Sequence, residues 1–230
     1  EAEKIALNNY SLLNKENKIK IKKTLNNIFK KMHLVETADL NKKEIEFILD
    51  EAQKFISFNK MKIKKNNLLE GRTIFNLFFE DSTRTRTSFE VAAKRLGADL
   101  INVAVKDSSI NKGETLLDTM TTINSMNPDV LIIRHPDEGI SKKISMNVDA
   151  CVINAGDGSH EHPTQALLDA LTIKNRFKNF NKLLIAICGD ILHSRVARSN
   201  IIILSKLGAK INVIGPKEWL PKNIKKLPVT

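Results

Sequence analysis

The chain has 230 residues, enough for one large domain or two small ones with proper cores, and its 42% hydrophobic and 27% charged content matches ordinary globular proteins. A formal charge of +11 raises nucleic-acid binding, but Arg is absent from residues 1–70, aromatics are few there, and no zinc-finger, RRM or basic-zipper pattern occurs, so nucleic acid is not an expected partner. No apolar run approaches a membrane span, and the N-terminus, with Glu1, Glu3 and Glu16 and no Arg, fits neither a secretory nor a transit peptide, so no membrane partner and a cytoplasmic setting are expected.

Residues 1–33 are rich in Lys and Asn, with weak helical periodicity at Ile19, Leu25 and Ile28, and read as a solvated N-terminal extension. Asp39 is placed to cap a helix carrying Ile45, Ile48, Leu49 and Ala52 on one face. Thr73–Phe79 reads as a buried strand and Ser88–Leu96 as a helix stopped at Gly97. Strand Leu100–Val105, helix Glu114–Met126, strand Val130–Arg134, a helical stretch Ile140–Met146 and strand Cys151–Asn154 continue the alternation. Pro163 suits the first turn of a long helix reaching about Phe177. Strand Leu183–Cys188, helix Arg195–Leu207 ended by Gly208, and strand Lys210–Ile214 form a second group, after which Pro216, Pro221 and Pro228 interrupt any complete element. Strands that alternate with helices and are apolar throughout predict an α/β fold. Its parallel sheets would be doubly wound and covered on both faces, and the second would stop midway. The expected division is an extension at 1–33, a domain at 34–163 and a partial domain at 164–230. Cys151 and Cys188 sit inside apolar strands and are expected to be buried, reduced thiols; nothing has metal-ligand spacing.

The densest chemistry lies at Phe78–Glu90 (FFEDSTRTRTSFE), where a strand runs into a turn rich in hydroxyls and Arg that opens a helix. Unpaired N–H groups at a helix N-terminus attract phosphate; Ser82, Thr83 and Thr85 add donors, and Arg84 offers a bidentate grip. A capped helix with a surface Arg is the competing reading, weakened by two Arg and four hydroxyls within residues 82–87. There is no Walker loop. Gly189-Asp190 lacks a GxGxxG continuation, so no dinucleotide cofactor is expected.

STRTR followed by SFE resembles the carbamoyl-phosphate signature of the aspartate/ornithine carbamoyltransferase family. Four further blocks extend the likeness in order: Ser108–Thr119 (SSINKGETLLDT), Arg134-His135-Pro136, Asn154–Leu168 (NAGDGSHEHPTQALL) and Gly189–Ser199 (GDILHSRVARS). The KGET, RHP and NAGDG…HPTQ blocks resemble the aspartate branch. The resemblance implies transfer of a carbamoyl group from carbamoyl phosphate to L-aspartate, an early step of pyrimidine synthesis, with no metal and no cofactor. It implies that Ser82, Thr83, Arg84 and Thr85 cradle the phosphate and that Arg134 contacts the same substrate. His162 would polarise the carbonyl, Gln165 would accept from the carbamoyl amino group, and Arg195 would hold an aspartate carboxylate. It also implies that Ser108 and Lys112 lie on a loop reaching an adjacent subunit of a homotrimer with shared sites; regulatory subunits are left open.

Taken singly, Lys112 reads as a solvated surface Lys, His162 as a helix-start histidine, Arg134 as a strand-end charge, and Arg198 equally as a flanking or a surface residue. His135 and His160 read as structural or exposed. Because the family continues past this length and the chain begins with Glu, a carbamoyl-phosphate pocket with poor turnover is expected of these residues alone. An ornithine or other amine acceptor, and a catalytically inactive assembly subunit, are the alternatives.

Overall fold

The computed structural model describes residues 33–103 and 115–229, and His33 onward forms one compact unit. The helices and strands are α1 (Lys42–Phe58), β1 (Thr73–Phe78), α2 (Thr83–Leu96), β2 (Asp99–Val103), α3 (Leu116–Asn124), β3 (Val130–His135), α4 (Ile140–Ser145), β4 (Cys151–Asp157), α5 (Pro163–Phe177), β5 (Leu184–Cys188), α6 (Arg195–Leu207) and β6 (Lys210–Ile214). The extension at 1–32 lies outside the described residues.

Four strands form a parallel sheet in the order β2-β1-β3-β4, and β5-β6 form a second parallel sheet. The α/β expectation holds. In the first sheet, Phe75, Leu77, Leu131 and Ile133 face Met120 and Ile123 of α3 and Ile144 of α4. Ile74 and Ile132 face Ala93 of α2 on the other side. The chain leaves β1 toward β2 on one flank and returns to β3 on the other. The carboxyl ends of β1 and β3 therefore flank the crevice where such sheets bind ligands.

Among the described residues the second sheet is covered on one face only, unlike the expected burial on both. Ile211 packs with Ile201, Leu204 and Leu207 of α6, whereas Leu184 is 65% exposed and Ile214 55% exposed on the opposite face. Cys188 is exposed and Cys151 only half-buried, so neither is the fully buried thiol the apolar runs suggested. An apolar run does not reveal whether one face or two will be covered.

Two helix starts also differ from expectation. Asn41, not Asp39, caps α1: its side chain accepts from Glu44 N while the Glu44 carboxylate accepts from Asn41 N, a reciprocal capping box. Asp39 instead ends a short 3-10 turn, Thr37–Asp39. The helix expected from Ser88 begins at Thr83, so the STRTR run is its first turn rather than a loop before it.

The N-terminal segment is stitched to distant parts of the chain. Ile45 and Leu49 of α1 share an apolar cluster with Ala166 and Ala170 of α5 and with Ile201 and Leu204 of α6. The Lys206 ammonium, near the end of α6, donates to the carbonyls of Thr37, Ala38 and Leu40 at 3.0, 2.7 and 2.7 Å.

Candidate active site

An open cleft of about 750 Å³ is lined by Ser82, Arg84, Thr85, Arg134, His162, Gln165 and Arg195, together with Ser88, Phe89, Thr164 and Leu168. Residues expected from five separated sequence blocks thus fall into one place, except those of the second block. Ser108 and Lys112 lie outside the described residues. Thr83 is exposed as the first residue of α2, and its side chain does not line the cleft. Arg198 is absent from the lining as well.

Helix ends supply much of the chemistry. Ser82 occupies the cap position of α2 without a capping hydrogen bond, and His162 does the same for α5, with Pro163 next. The first N–H groups of a helix have no acceptor within it and carry partial positive charge, so both ends favour an anion. Arg195 opens a third helix, α6, whose cap Ser194 accepts from Ala197 N.

The arginines are held by a residue that the sequence reading quoted but did not assign. Glu80, just past β1, accepts from Arg134 Nη2 at 2.6 Å and from Arg195 Nη2 at 2.6 Å through the same oxygen. Arg195 Nη1 reaches the other carboxylate oxygen at 3.2 Å. Burial pushes the Glu80 carboxyl up, but hydrogen bonds from Arg195 and Arg134, together with their charges, outweigh it and hold the group below its ordinary value. An acid directly ahead of a basic phosphate motif was the available signal.

Backbone irregularity aims Arg134. The pairing of β3 with β4 is regular to Ile133↔Asn154 and then shifts to His135↔Asp157, a bulge at Ala155-Gly156 of β4, opposite Arg134. Arg134 Nη1 donates to Ala155 O at 3.2 Å. Gly156 has φ +116°, and a Cβ there would stand 3.2 Å from Arg134 Nη1, 3.4 Å from Arg195 Nη1 and 3.4 Å from His162 Cδ2. Only glycine satisfies both the backbone angle and the convergence of these three side chains.

His162 is buried, and burial first, then the charges of Arg134 and Arg195, lower its pKa to about 4. The ring is neutral near pH 7. Thr164 Oγ1 lies 3.4 Å from His162 Nδ1, and a hydroxyl donating there leaves the ring proton on Nε2. The backbone of His162 is fixed from α6, because its N–H donates to Ser199 Oγ at 2.8 Å and that hydroxyl in turn donates to Glu161. Glu161 also accepts from Thr37 Oγ1 at 2.8 Å; burial raises its pKa, outweighing the hydrogen bonds from Ser199 and Thr37 that lower it. Ser199 and Glu161 both lie within the blocks quoted above, which assign neither a role. His160 pairs with Asp157, and the His135 ring lies 4.9 Å from that of Phe79; both serve the scaffold, as expected. No cluster of His, Cys, Asp or Glu among the described residues could hold a metal ion.

Residues 32–175 match the profile of the aspartate/ornithine carbamoyltransferase carbamoyl-P binding domain. The aspartate carbamoyltransferase catalytic subunit of Pelagibacter ubique is 55% identical over 197 residues, covering 86% of this chain and 63% of that protein. The Bartonella henselae catalytic subunit is 53% identical over 206 residues, covering 90% of this chain and 64% of its own length. Among solved structures, the Trypanosoma cruzi aspartate transcarbamoylase with carbamoyl phosphate and aspartate superposes at TM-score 0.78 with 34% identity, over 84% of this chain and 61% of that one. The catalytic subunit of M. jannaschii aspartate transcarbamoylase superposes at 0.76 with 41% identity, over 85% and 64%. The chain spans under two thirds of these relatives, and over that span it belongs to the aspartate/ornithine carbamoyltransferase family.

Proposed function

We propose that this chain provides the carbamoyl-phosphate site, and the first contacts for the acceptor, of a carbamoyltransferase that converts L-aspartate to N-carbamoyl-L-aspartate. The observation that carries this reading is the gathering of Arg84, Arg134 and Arg195 with a neutral His162 at two uncapped helix N-termini around one cleft. Among the described residues no paired general-acid carboxylates and no nucleophile–base pair line it, which suits a reaction run by positioning and fixed positive charge.

In this mechanism the phosphate rests on Ser82, Arg84 and Thr85 and on the backbone N–H of Thr83 at the start of α2, and Arg134 spans toward the carbamoyl group. The aspartate amine attacks the carbonyl carbon and a C–N bond forms. His162 Nε2–H donates to the oxygen on which negative charge gathers, while Gln165 accepts from the carbamoyl amino group. The C–O bond to phosphate then breaks, Arg84 balances the charge of the leaving phosphate, and a phosphate oxygen takes the amine proton. Arg195 holds a carboxylate of aspartate. Ser108 and Lys112 would enter from an adjacent subunit of a homotrimer. A cytoplasmic role early in pyrimidine synthesis, and a division into a carbamoyl-phosphate domain to about residue 163 and a partial aspartate domain after it, belong to the same reading.

Calorimetric titration with phosphonoacetamide, a stable analogue of carbamoyl phosphate, tests it. Saturable binding is expected, and Arg84→Ala should weaken it by about 2 kcal/mol, the scale for a hydrogen bond to a charged group. An Arg84→Ala chain that binds as tightly as the parent sinks the assignment. In a longer form of the protein, comparison of aspartate with ornithine as acceptor separates the two branches.

A further inference from the structure

Gln165 and Asp169 stand one turn apart on α5, and Gln165 Nε2 donates to Asp169 Oδ1 at 2.9 Å. The other oxygen, Asp169 Oδ2, accepts from Asn200 Nδ2 on α6 at 2.7 Å. An ionised carboxylate can only accept, so each amide is obliged to turn its NH₂ toward it. For Asn200 the obligation is costly: its Oδ1 is left buried without a hydrogen-bond partner among the described residues. For Gln165, which lines the cleft, it leaves Oε1 as the end of the amide still open to a ligand.

We propose that Asp169, braced by Asn200, is a positioning residue that keeps the Gln165 amide oriented as an acceptor and so selects ligands bearing a primary amide beside the phosphate. The two ends of a glutamine amide have nearly the same shape. Without Asp169, Gln165 could rotate to offer NH₂ to the cleft, where it would favour a carboxylate or ester oxygen in place of a carbamoyl amino group. The carboxylate thereby converts a side chain of either polarity into one of fixed polarity. Because Asn200 sits on α6, five residues beyond Arg195, the helix that presents Arg195 also steadies this selector. The inference rests on the carbamoyl-phosphate reading above.

Calorimetry on the full chain with two probes, phosphonoacetamide and inorganic phosphate, separates orientation from general damage. Asp169→Ala should weaken phosphonoacetamide about tenfold, the worth of one hydrogen bond, with phosphate affinity kept within about twofold. Gln165→Ala should show the same split, and the double variant no further loss. Asp169→Asn should retain the parental preference, since its Oδ1 can accept from Gln165 while its NH₂ donates to an Asn200 amide turned over to use its orphaned oxygen. An Asp169→Ala chain with parental selectivity, or with equal loss of both probes, overturns the inference. If Asp169→Ala fails to fold, the other variants decide: an Asp169→Asn chain as unselective as Gln165→Ala overturns it. A parent chain that binds neither probe removes the carbamoyl-phosphate reading itself, whereas parental binding of both with no effect at Asp169 removes only the selector.

Discussion

In the first sheet, β1 and β3 bury side chains on both faces, and Ser82, Arg84, Thr85 and Arg134 of the cleft spring from their carboxyl ends. In the second sheet, β5 alternates between half-buried and exposed positions, and Leu184, Cys188 and Ile214 line a face that no other described residue covers. Both sheets are made of the same strand–helix units, so the contrast isolates what cover adds. The covered sheet can hold a bulge and a left-handed glycine at its rim, because packing over-determines the local backbone. The half-covered sheet presents Arg195 from a well-capped helix, whose register is set locally and does not depend on a second layer.

The largest expected effect tests cover directly. Leu131→Ala, at a position with 0% exposure, should cost about 3 kcal/mol in urea unfolding, whereas Leu184→Ala should stay within about 0.5 kcal/mol. Equal losses would mean that the open face is packed in solution.

Next in size is a pH effect that belongs to the cleft. The pKa of His162 falls from 6.5 to about 4 in the fold, so the unfolded chain binds more protons between those values. Stability from this group is therefore full above pH 6.5 and is lost as pH falls toward 4, by on the order of 3 kcal/mol. The difference in unfolding free energy between the parent chain and His162→Gln, measured at pH 7 and pH 4.5, should shrink accordingly. A difference independent of pH would show that the ring is protonated or exposed.

The smallest effect is chemical. Iodoacetamide at pH 8 should label exposed Cys188 well before Cys151, whose thiol pKa burial raises, with no measurable change in stability. Peptide mass spectrometry reads the order directly, and preferential labelling of Cys151 would contradict the described packing of β4 and β5.

Most of the fold was legible because its strands are short apolar runs between well-punctuated helices; Gly97 and Gly208 end α2 and α6 as their positions suggested. Helix starts were less legible. Between Ser82 and Ser88 five hydroxyl residues compete for the cap, and the observed cap, Ser82, makes no capping hydrogen bond at all. At α1 the spacing Asn41-x-x-Glu44 was the better signal than a lone Asp39. Of the site, most residues named from dense motifs line one cleft, Ser108 and Lys112 lying outside the described residues, while residues that act through others carried no assignment. Glu80 gains its meaning only when β1, β3 and α6 bring two arginines to it, and Ser199 only when α6 lies against His162. The bulge that aims Arg134 depends on how two strands pair, which a single strand's sequence does not express.

The triple grip of Lys206 on Thr37, Ala38 and Leu40 joins groups separated by up to 169 positions in the chain. A ribosome adding residues at about 5–20 per second exposes α1 many seconds before α6 exists to receive it. During that interval Ile45 and Leu49, fully buried in the finished fold, have no partners from α5 or α6. The earliest described helix to be made is thus among the last to be sealed, and until then its reciprocal cap, worth about 1 kcal/mol, is the local interaction that favours its first turn.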